Sequence, residues 1–260
     1  MIWALRNIGS GLARVSLWSR LAFVDIEVLY KRSLFGLAWV ALAFALFIFV
    51  KILIFGSITI VDERFFAIWL GTGFWLWTLF QSLVVDGSRT FLYARGWILG
   101  TRIPLSVYAI KVAARSLIRF SFSLPVIIAL ILVMRWTPTT DWLWSIAGLL
   151  VIILNGLWVT LFFGTVSSRY NDLIHLTQSV MQVTFFLTPI LYVPEQLGEN
   201  AYLLQYNPFT HFLAIIRDPI LGNGLPILSW QVVGAITVVG WVLTLIAFSR
   251  MGRKIAFYIS

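Results

Sequence analysis

The sequence predicts an all-α membrane protein with six transmembrane helices, an N-terminal amphipathic interface helix and an outer re-entrant helix pair. Of its 260 residues, 60% are hydrophobic and only 11% are charged, whereas soluble domains carry roughly 25% charged residues. A water-soluble fold of this size has too little interior to bury so much apolar surface. Six apolar runs approach or exceed the ~20 residues that a helix needs to cross a bilayer. They lack the strict alternation of a membrane barrel.

Two regions follow from this pattern. Residues 1–33 are predicted to be a cytoplasmic N-terminus with an interfacial helix, and residues 34–260 a six-span transmembrane domain. The predicted spans are 34–56, 65–85, 103–134, 142–167, 173–193 and 227–249. The interfacial helix covers residues 12–32, and its charge-free arc consists of Trp18, Ala22, Phe23, Ile26, Leu29 and Tyr30. A helix packed on another cytoplasmic protein would show the same pattern.

The segment 194–222 is too rich in proline to form a seventh span. Pro194, Pro208 and Pro219 divide it into pieces that are too short to cross the membrane. We therefore predict two short re-entrant helices that form a gate at the outer mouth, with Asn207, Pro208, Arg217 and Asp218 as its polar residues. The alternative is a static outer loop that caps the bundle.

The net charge of +9 is explained by topology and does not require a nucleic-acid partner. With six spans, both termini lie on the same side of the membrane. If that side is the cytoplasm, it receives fifteen of the nineteen Lys and Arg residues and the outer side receives four. This asymmetry follows the positive-inside rule. We therefore predict a multi-pass protein with both termini in the cytoplasm.

The sequence contains no motif of a catalytic centre. A phosphate-binding GxxxxGK[ST] loop, an HExxH zinc motif and a GxSxG nucleophile motif are all absent from the chain. The two histidines, His175 and His211, fall in segments predicted on opposite sides of the membrane, so they cannot share a metal. The spans contain almost no acidic residue for ion coupling. We therefore expect a transport subunit without a cofactor of its own, with ATP and Mg²⁺ bound by a partner ATPase.

Four motifs in register from residue 25 to residue 222 resemble one family. Asp25–Trp39 resembles the pattern DIxxRYxRSxLGxxW, with Leu29 in place of its first Arg. Ser168–Leu176 is similar to xRFxDIxxL, and Gln182–Tyr192 matches QxxFFxTPIxY. Asn207-Pro208, followed by Arg217–Gly222, resembles NP…RxPLLG. These are patterns of ABC-transporter permeases that export polysaccharides, namely the O-antigen (Wzm-like), teichoic-acid and capsule exporters.

The resemblance implies a partnership and a substrate. It implies a homodimer in the bacterial inner membrane, bound to two copies of a nucleotide-binding ATPase subunit. The cargo would be an undecaprenyl-diphosphate-linked glycan, and the wording of the motifs favours an O-antigen. It would pass through a channel at the interface of the two copies, which membrane lipids surround. The alternatives are an ABC efflux permease for a small hydrophobic drug or lipid and, from another class, a membrane-embedded glycan polymerase.

Candidate residues for the substrate path lie in three of the predicted spans. Lys111, Arg115 and Arg119 recur every fourth residue, so they share one helix face. They would either extend toward anionic headgroups or guide the diphosphate of the substrate. Trp69, Trp75, Trp77, Phe185 and Tyr192 would either pack within the bundle or offer sugar-stacking rings along the path.

Candidate residues for ATPase coupling lie in the cytoplasmic connections. Residues 87–101 are the longer connection and the better candidate for a coupling helix, with Phe91 as an apolar anchor and Arg89 as a charged one. Asp172 would either cap the next helix or contact the ATPase. The full predicted set is Tyr30, Lys31, Arg32, Arg89, Phe91, Arg95, Arg169 and Asp172.

Overall fold

The computed structural model describes residues 1–31 and 33–260, which form helices joined by loops, with no strand in this part of the chain. This confirms the predicted all-α class. The helices are α1 (Ile2–Leu12), α2 (Val15–Tyr30), α3 (Ala38–Gly56), α4 (Glu63–Ser88), α5 (Thr90–Tyr93), α6 (Arg95–Gly100), α7 (Ser106–Val133), α8 (Trp142–Ser167), α9 (Asp172–Leu187), α10 (Pro208–Leu221), α11 (Ile227–Met251) and α12 (Ile255–Ile259), with 3₁₀ helices at Pro194–Tyr206 and Gly252–Lys254.

Five helical segments are long and apolar enough to cross a membrane. They are α3, α4, α7, α8 and the continuous run Ile227–Ile259, which contains α11 and α12. Each contains or overlaps one of the predicted spans. The start of α4 illustrates how the sequence sets a boundary, because the Asp62 carboxylate accepts hydrogen bonds from the backbone N–H groups of Arg64 and Phe65.

The predicted span 173–193 corresponds to α9, which has 16 residues and ends at Leu187. Near its start, the Thr177 hydroxyl donates to Ser88 Oγ at the end of α4 over 3.3 Å. Beyond its end, the Tyr192 carbonyl accepts from Trp69 Nε1 near the start of α4 over 3.1 Å. The segment therefore follows about 28 Å of α4, from Ser88 back to Trp69. This path supports a sixth crossing, which stays a prediction.

The predicted pair of short helices is present between α9 and α11. The 3₁₀ helix Pro194–Tyr206 runs toward Asn207, whose side chain accepts from the Phe209 N–H and begins α10. Phe209 then contacts the rings of Trp77 and Phe80, near the middle of α4. At the other end of α10, the Ile220 carbonyl accepts from Trp136 Nε1, just beyond the end of α7. α10 therefore begins deep in the bundle and returns to one end of it.

The core is built around α4, whose residues from Phe66 to Leu83 are mostly buried against α7, α8 and α10. Glycines allow close helix approach at two of these contacts. A Cβ on Gly148 of α8 would lie 2.9 Å from the Ile215 carbonyl oxygen of α10. A Cβ on Gly87 would lie 3.0 Å from the Thr160 Cα of α8. Small residues at such positions are typical of helix packing in membranes.

The N-terminal region contains two helices where the sequence predicted one. α1 was not predicted; the Asn7 carbonyl and side-chain oxygens accept hydrogen bonds from Ser106 at the start of α7. α2 matches the predicted interfacial helix and packs on α7. Of its predicted apolar arc, Ala22 and Ile26 are buried, whereas Phe23 and Leu29 are exposed. The arc thus has one face packed within the chain and one face open to lipid or to another subunit.

Candidate functional site

Lys111, Arg115 and Arg119 lie on one face of α7, as predicted, but two carboxylates face them. Lys111 Nζ is 2.8 Å from Asp25 Oδ2 of α2. Arg115 contacts both Asp25, at 3.3 Å, and Asp86 of α4, at 3.4 Å. Arg119 lies 2.5 Å from the same Asp86 oxygen. These five residues are here called the ion-pair ladder. The sequence analysis considered headgroups and the substrate diphosphate as partners of the three cations and did not identify the two carboxylates.

A cavity of about 520 Å³ opens between α3, α4 and α7, and the Arg119 end of the ladder forms part of its wall. The Arg119 guanidinium also donates to Ser82 Oγ over 2.9 Å. The cavity is lined by both polar and aromatic residues. The polar ones are Tyr30, Thr78, Gln81, Ser82, Asp86, Ser116, Arg119 and Ser123, and the aromatic ones include Phe44, Phe47, Phe74 and Phe120. Hydroxyl, amide and charged groups together with aromatic rings suit a ligand with both polar edges and apolar faces.

The three predicted tryptophans are packed inside the chain. Trp75 stacks on Phe120 with ring centroids 4.1 Å apart, and its indole N–H donates to the Phe120 carbonyl. Trp77 is only 2% exposed and contacts the rings of Phe185 and Phe209. Trp69 is also buried, beneath the Arg217 guanidinium. Of the two alternatives from sequence, packing within the bundle is the one that these contacts favour.

Phe185 and Tyr192 are half-buried on the α9 side of the bundle. The Tyr192 hydroxyl donates to the Leu187 carbonyl over 3.2 Å, so it stabilises the break after α9. The Phe185 ring packs edge-on against Phe74. Beside this pair lies Lys51, which the sequence analysis did not select. A single lysine within an apolar run that has Phe at both −4 and +4 was the available signal.

The predicted gate residues join α10 to the break after α9. Asn207 Nδ2 donates to the Leu187 carbonyl and to Thr188 Oγ1. The Arg217 guanidinium donates to the Pro189 carbonyl over 2.7 Å and lies 3.2 Å from the Trp69 ring centroid. Pro208 occupies the first turn of α10, where a missing N–H costs nothing. The Leu187 carbonyl at the end of α9 and the Pro189 carbonyl just beyond it therefore find their partners in Asn207 and Arg217.

Arg217 is the largest fully buried side chain in the described part of the structure. Burial lowers the pKa of its guanidinium to about 10, although the nearby carboxylates of Asp218 and Glu195 act in the opposite direction. The group therefore remains protonated at neutral pH. Asp218 is half-buried, and burial raises the pKa of its carboxyl group.

Most residues predicted for ATPase coupling lie where they could contact a partner. Lys31, Arg95, Arg169 and Asp172 are exposed, and Arg89 is half-buried with a 3.0 Å hydrogen bond to Gln178. Tyr30 is half-buried at the cavity wall. Arg32 lies outside the residues that the structure describes.

Phe91 is the exception, and the prediction that it anchors a partner is wrong. Its side chain is 0% exposed because it packs in a second apolar cluster with residues of α1, α7, α8 and α11. A side chain without accessible surface cannot contact another subunit in this arrangement. The exposed apolar side chains of the same connection are Leu92, Tyr93, Trp97 and Leu99. These four residues are here called the coupling patch.

These features define an all-α, multi-pass membrane protein with a polar-aromatic cavity between its long apolar helices and the short helix α10 beside them. Comparison with known proteins narrows the class further. The chain is 26% identical over 231 residues to two O-antigen export system permease proteins RfbA of Klebsiella pneumoniae, covering 88% of each chain. It is 24% identical over 237 residues to that of Myxococcus xanthus, covering 87% of this chain and 89% of the relative. No family model matches the chain. The resemblance to polysaccharide-export permeases is confirmed by these similarities.

Proposed function

We propose that this chain is the membrane-spanning subunit of an ATP-driven exporter that moves a lipid-linked polysaccharide, an O-antigen, out of the cytoplasm across the bacterial inner membrane. Both termini would lie in the cytoplasm, and two copies would form the path. The names of the relatives from Klebsiella pneumoniae and Myxococcus xanthus support this cargo. The observation within the chain that carries the proposal is the 520 Å³ cavity between α3, α4 and α7.

The cavity supports a glycan because its lining contains both the aromatic rings and the hydrogen-bonding groups that bind sugars. Phe44, Phe47 and Phe74 offer aromatic faces to the apolar C–H faces of a pyranose. Gln81 and Ser82 offer hydrogen-bonding groups to its hydroxyls. Most of the charge near Arg119 is balanced by Asp86, so the site would bind without the strong retention that a free cation cluster would cause.

The ion-pair ladder supports coupling between the cavity and the cytoplasmic surface. Asp86 lies in the last turn of α4, directly before α5 and α6, which carry the coupling patch. The same Asp86 side chain pairs with Arg115 and with Arg119 at the cavity. A partner ATPase that displaces α5 and α6 would thus move a residue of the cavity wall. ATP and Mg²⁺ would be bound by that partner.

An apolar cavity favours the second candidate, an efflux permease for a small hydrophobic compound or lipid. A space of about 320 Å³ between α4, α8, α9 and α10 is lined almost entirely by carbon, including Phe80, Leu83 and Phe212. This cavity could hold an acyl or isoprenoid chain. We favour the glycan exporter because a wholly apolar substrate could not pair with the polar and charged groups of the cavity between α3, α4 and α7.

Replacement of Arg119 tests the proposal. In cells that depend on this chain, we expect Arg119→Ala together with Asp86→Ala to lower surface glycan by about tenfold or more, since the cavity wall loses both charged groups while Arg115 keeps Asp25 as a partner. Lys111→Ala is the matched control, because Lys111 belongs to the ladder but does not line the cavity. Surface glycan is measured by gel electrophoresis and antibody labelling, and complex assembly by co-purification with the ATPase.

Three results separate the candidates. Loss of surface glycan with accumulation of lipid-linked glycan inside the cell supports the exporter. Normal surface glycan in cells that lack the chain altogether would contradict it. Accumulation of a hydrophobic compound in those cells, with normal glycan, would support the efflux permease.

A further inference from the structure

Lys51 is a half-buried cation for which the described part of the structure provides no carboxylate and no hydrogen-bond acceptor. It lies in the apolar helix α3, five residues before the last residue, Gly56. Four phenyl rings surround its ammonium group, with Nζ-to-centroid distances of 4.5 Å to Phe47, 5.8 Å to Phe55, 5.5 Å to Phe74 and 5.6 Å to Phe185. Ring faces attract a cation, but they accept none of its three N–H groups in the way that an oxygen does.

The ammonium does not reach toward the nearer end of α3, as a lysine extending to a membrane surface would. Gly56, the last residue of α3, is five residues away, yet the closest ring to Nζ is that of Phe47, one turn in the opposite direction. Phe74 is also nearby, about 16 Å from the start of α4 and about 21 Å from its end. The charge therefore lies near the mid-depth of the bundle, where an ionisable group without a partner is expected to serve function.

Lys51 also lies next to the cavity. Phe47 and Phe74, two of the rings around its ammonium, form part of the cavity wall. Arg119 and Asp86 form the opposite end, because Asp86 is twelve residues, or about 18 Å, further along α4 than Phe74. The cation at the Asp86 end is paired and the cation at the Phe74 end is not. An anion that entered the cavity would meet, at the Phe74 end, an ammonium group that has no carboxylate partner among the described residues.

We propose that Lys51 binds a phosphate group of the transported lipid during its passage along the cavity. A phosphate supplies both the negative charge and the oxygen acceptors that the ammonium lacks. This inference rests on the proposed function, since an undecaprenyl-diphosphate-linked glycan carries such a group. A membrane phospholipid is a second source of phosphate, but its headgroup lies at the bilayer surface, far from the depth of Phe74.

The test uses the exporter, this chain with its ATPase, in phosphatidylcholine vesicles. Added undecaprenyl diphosphate is the probe, and stimulated ATP hydrolysis is the signal. We expect Lys51→Met to raise the half-stimulating concentration by about tenfold or more, because methionine keeps the contacts with the rings but lacks the charge. Lys51→Arg should stay within about threefold of the wild type, because it retains a cation that binds phosphate. Lys254→Met, at an exposed position, is the matched control.

Two further arms identify the ligand. Undecaprenol, which lacks phosphate, should act equally on the wild type and on Lys51→Met. A Lys51→Met shift of equal size for both probes would show a general structural defect and overturn the site. If the difference between wild type and Lys51→Met vanishes when phosphatidylglycerol is included in the vesicles, the ammonium binds membrane phospholipid and the proposal fails.

The outcome is separable from that of the proposed function. If cells with the wild-type chain display surface glycan, but Lys51→Met does not shift the half-stimulating concentration of undecaprenyl diphosphate, the Lys51 site alone is overturned. A wild-type exporter that does not respond to undecaprenyl diphosphate would also overturn it, even if cells export normally. If the deletion strain and every cavity variant still export glycan normally, the proposed function is contradicted instead.

Discussion

Arg115 occupies the centre of the ion-pair ladder because it is the one member with a carboxylate partner on each side. Its guanidinium contacts Asp25 on α2 and Asp86 on α4, and its side chain is only 15% exposed. In surroundings that exclude water, removal of one partner leaves a charge that neither solvent nor protein compensates. The side chain therefore joins three helices that are distant in sequence.

The first prediction follows from that position. Arg115→Ala should lower the stability of the chain by about 1.5–3 kcal/mol, since a charged hydrogen bond to Asp25 and an ion pair with Asp86 are lost. Thermal unfolding of the detergent-solubilised protein, followed by tryptophan fluorescence, measures the change. Arg250→Ala, at an exposed position, is the control and should unfold like the wild type. Equal unfolding temperatures for both variants would show that the ladder contributes no stability.

At the scale of elements, α10 and the break after α9 depend on each other. The carbonyls of Leu187 and Pro189 accept from Asn207 and Arg217, so the end of one helix supplies the partners of the other. A broken helix at membrane depth is tolerated only where its backbone groups are satisfied within the protein. A seventh crossing would need a longer helix than the 14 residues of α10.

The second prediction concerns the side of the membrane that this segment reaches. The chain has no cysteine, so single cysteines can be labelled without a background. We expect Glu195→Cys and Asn223→Cys, at exposed positions on either side of the helix pair, to react with a membrane-impermeant thiol reagent added from outside intact cells. Asn223 is preferred to Gly222, whose φ of 80° disfavours a side chain.

Labelling of the two cysteines from opposite sides would mean that the segment crosses the membrane. In that case the re-entrant pair and the six-span topology would both be wrong. An Arg250→Cys variant, which reacts only after the membrane is permeabilised, controls for leakage of the reagent.

For the molecule as a whole, the proposed ATP-driven transport requires a surface on which a partner ATPase can dock. The sequence of this chain lacks a phosphate-binding loop. The connection between α4 and α7 presents the coupling patch, where Tyr93 is 69% and Trp97 is 55% exposed. Exposed aromatic residues clustered outside the spans are typical anchors of protein interfaces.

The third prediction tests this surface. Tyr93→Ala together with Trp97→Ala should reduce co-purification of the partner ATPase by about tenfold, because aromatic side chains are frequent hot spots of interfaces. Leu150→Ala is the control, since Leu150 is equally apolar and exposed but lies in the middle of α8. Phe91→Ala should instead lower thermal stability, since it leaves a cavity in the chain's own core. Unchanged co-purification of the double variant would exclude the coupling patch as the docking surface.

The sequence by itself determined the class of protein, most helix positions and the existence of the helix pair after α9. These depend on properties that are local in the chain: apolar runs of sufficient length, prolines that interrupt them and the Asn207-Pro208 start of α10. The resemblance to export permeases was likewise visible in the sequence, because the chain contains the family's short motifs in the same order.

Only the tertiary structure decided which polar side chains meet. Asp25 and Lys111 are 86 residues apart, so no periodicity could pair them, and the carboxylate partners of the stripe on α7 were not identified from the sequence. Phe91 lies on a helix of four residues, too short for a pattern to separate its buried face from its exposed face. The Lys51 ammonium lies near rings of α3, α4 and α9, and these rings come together only where the three helices pack. Burial and pairing are properties of neighbours in space, which the order of residues along the chain does not specify.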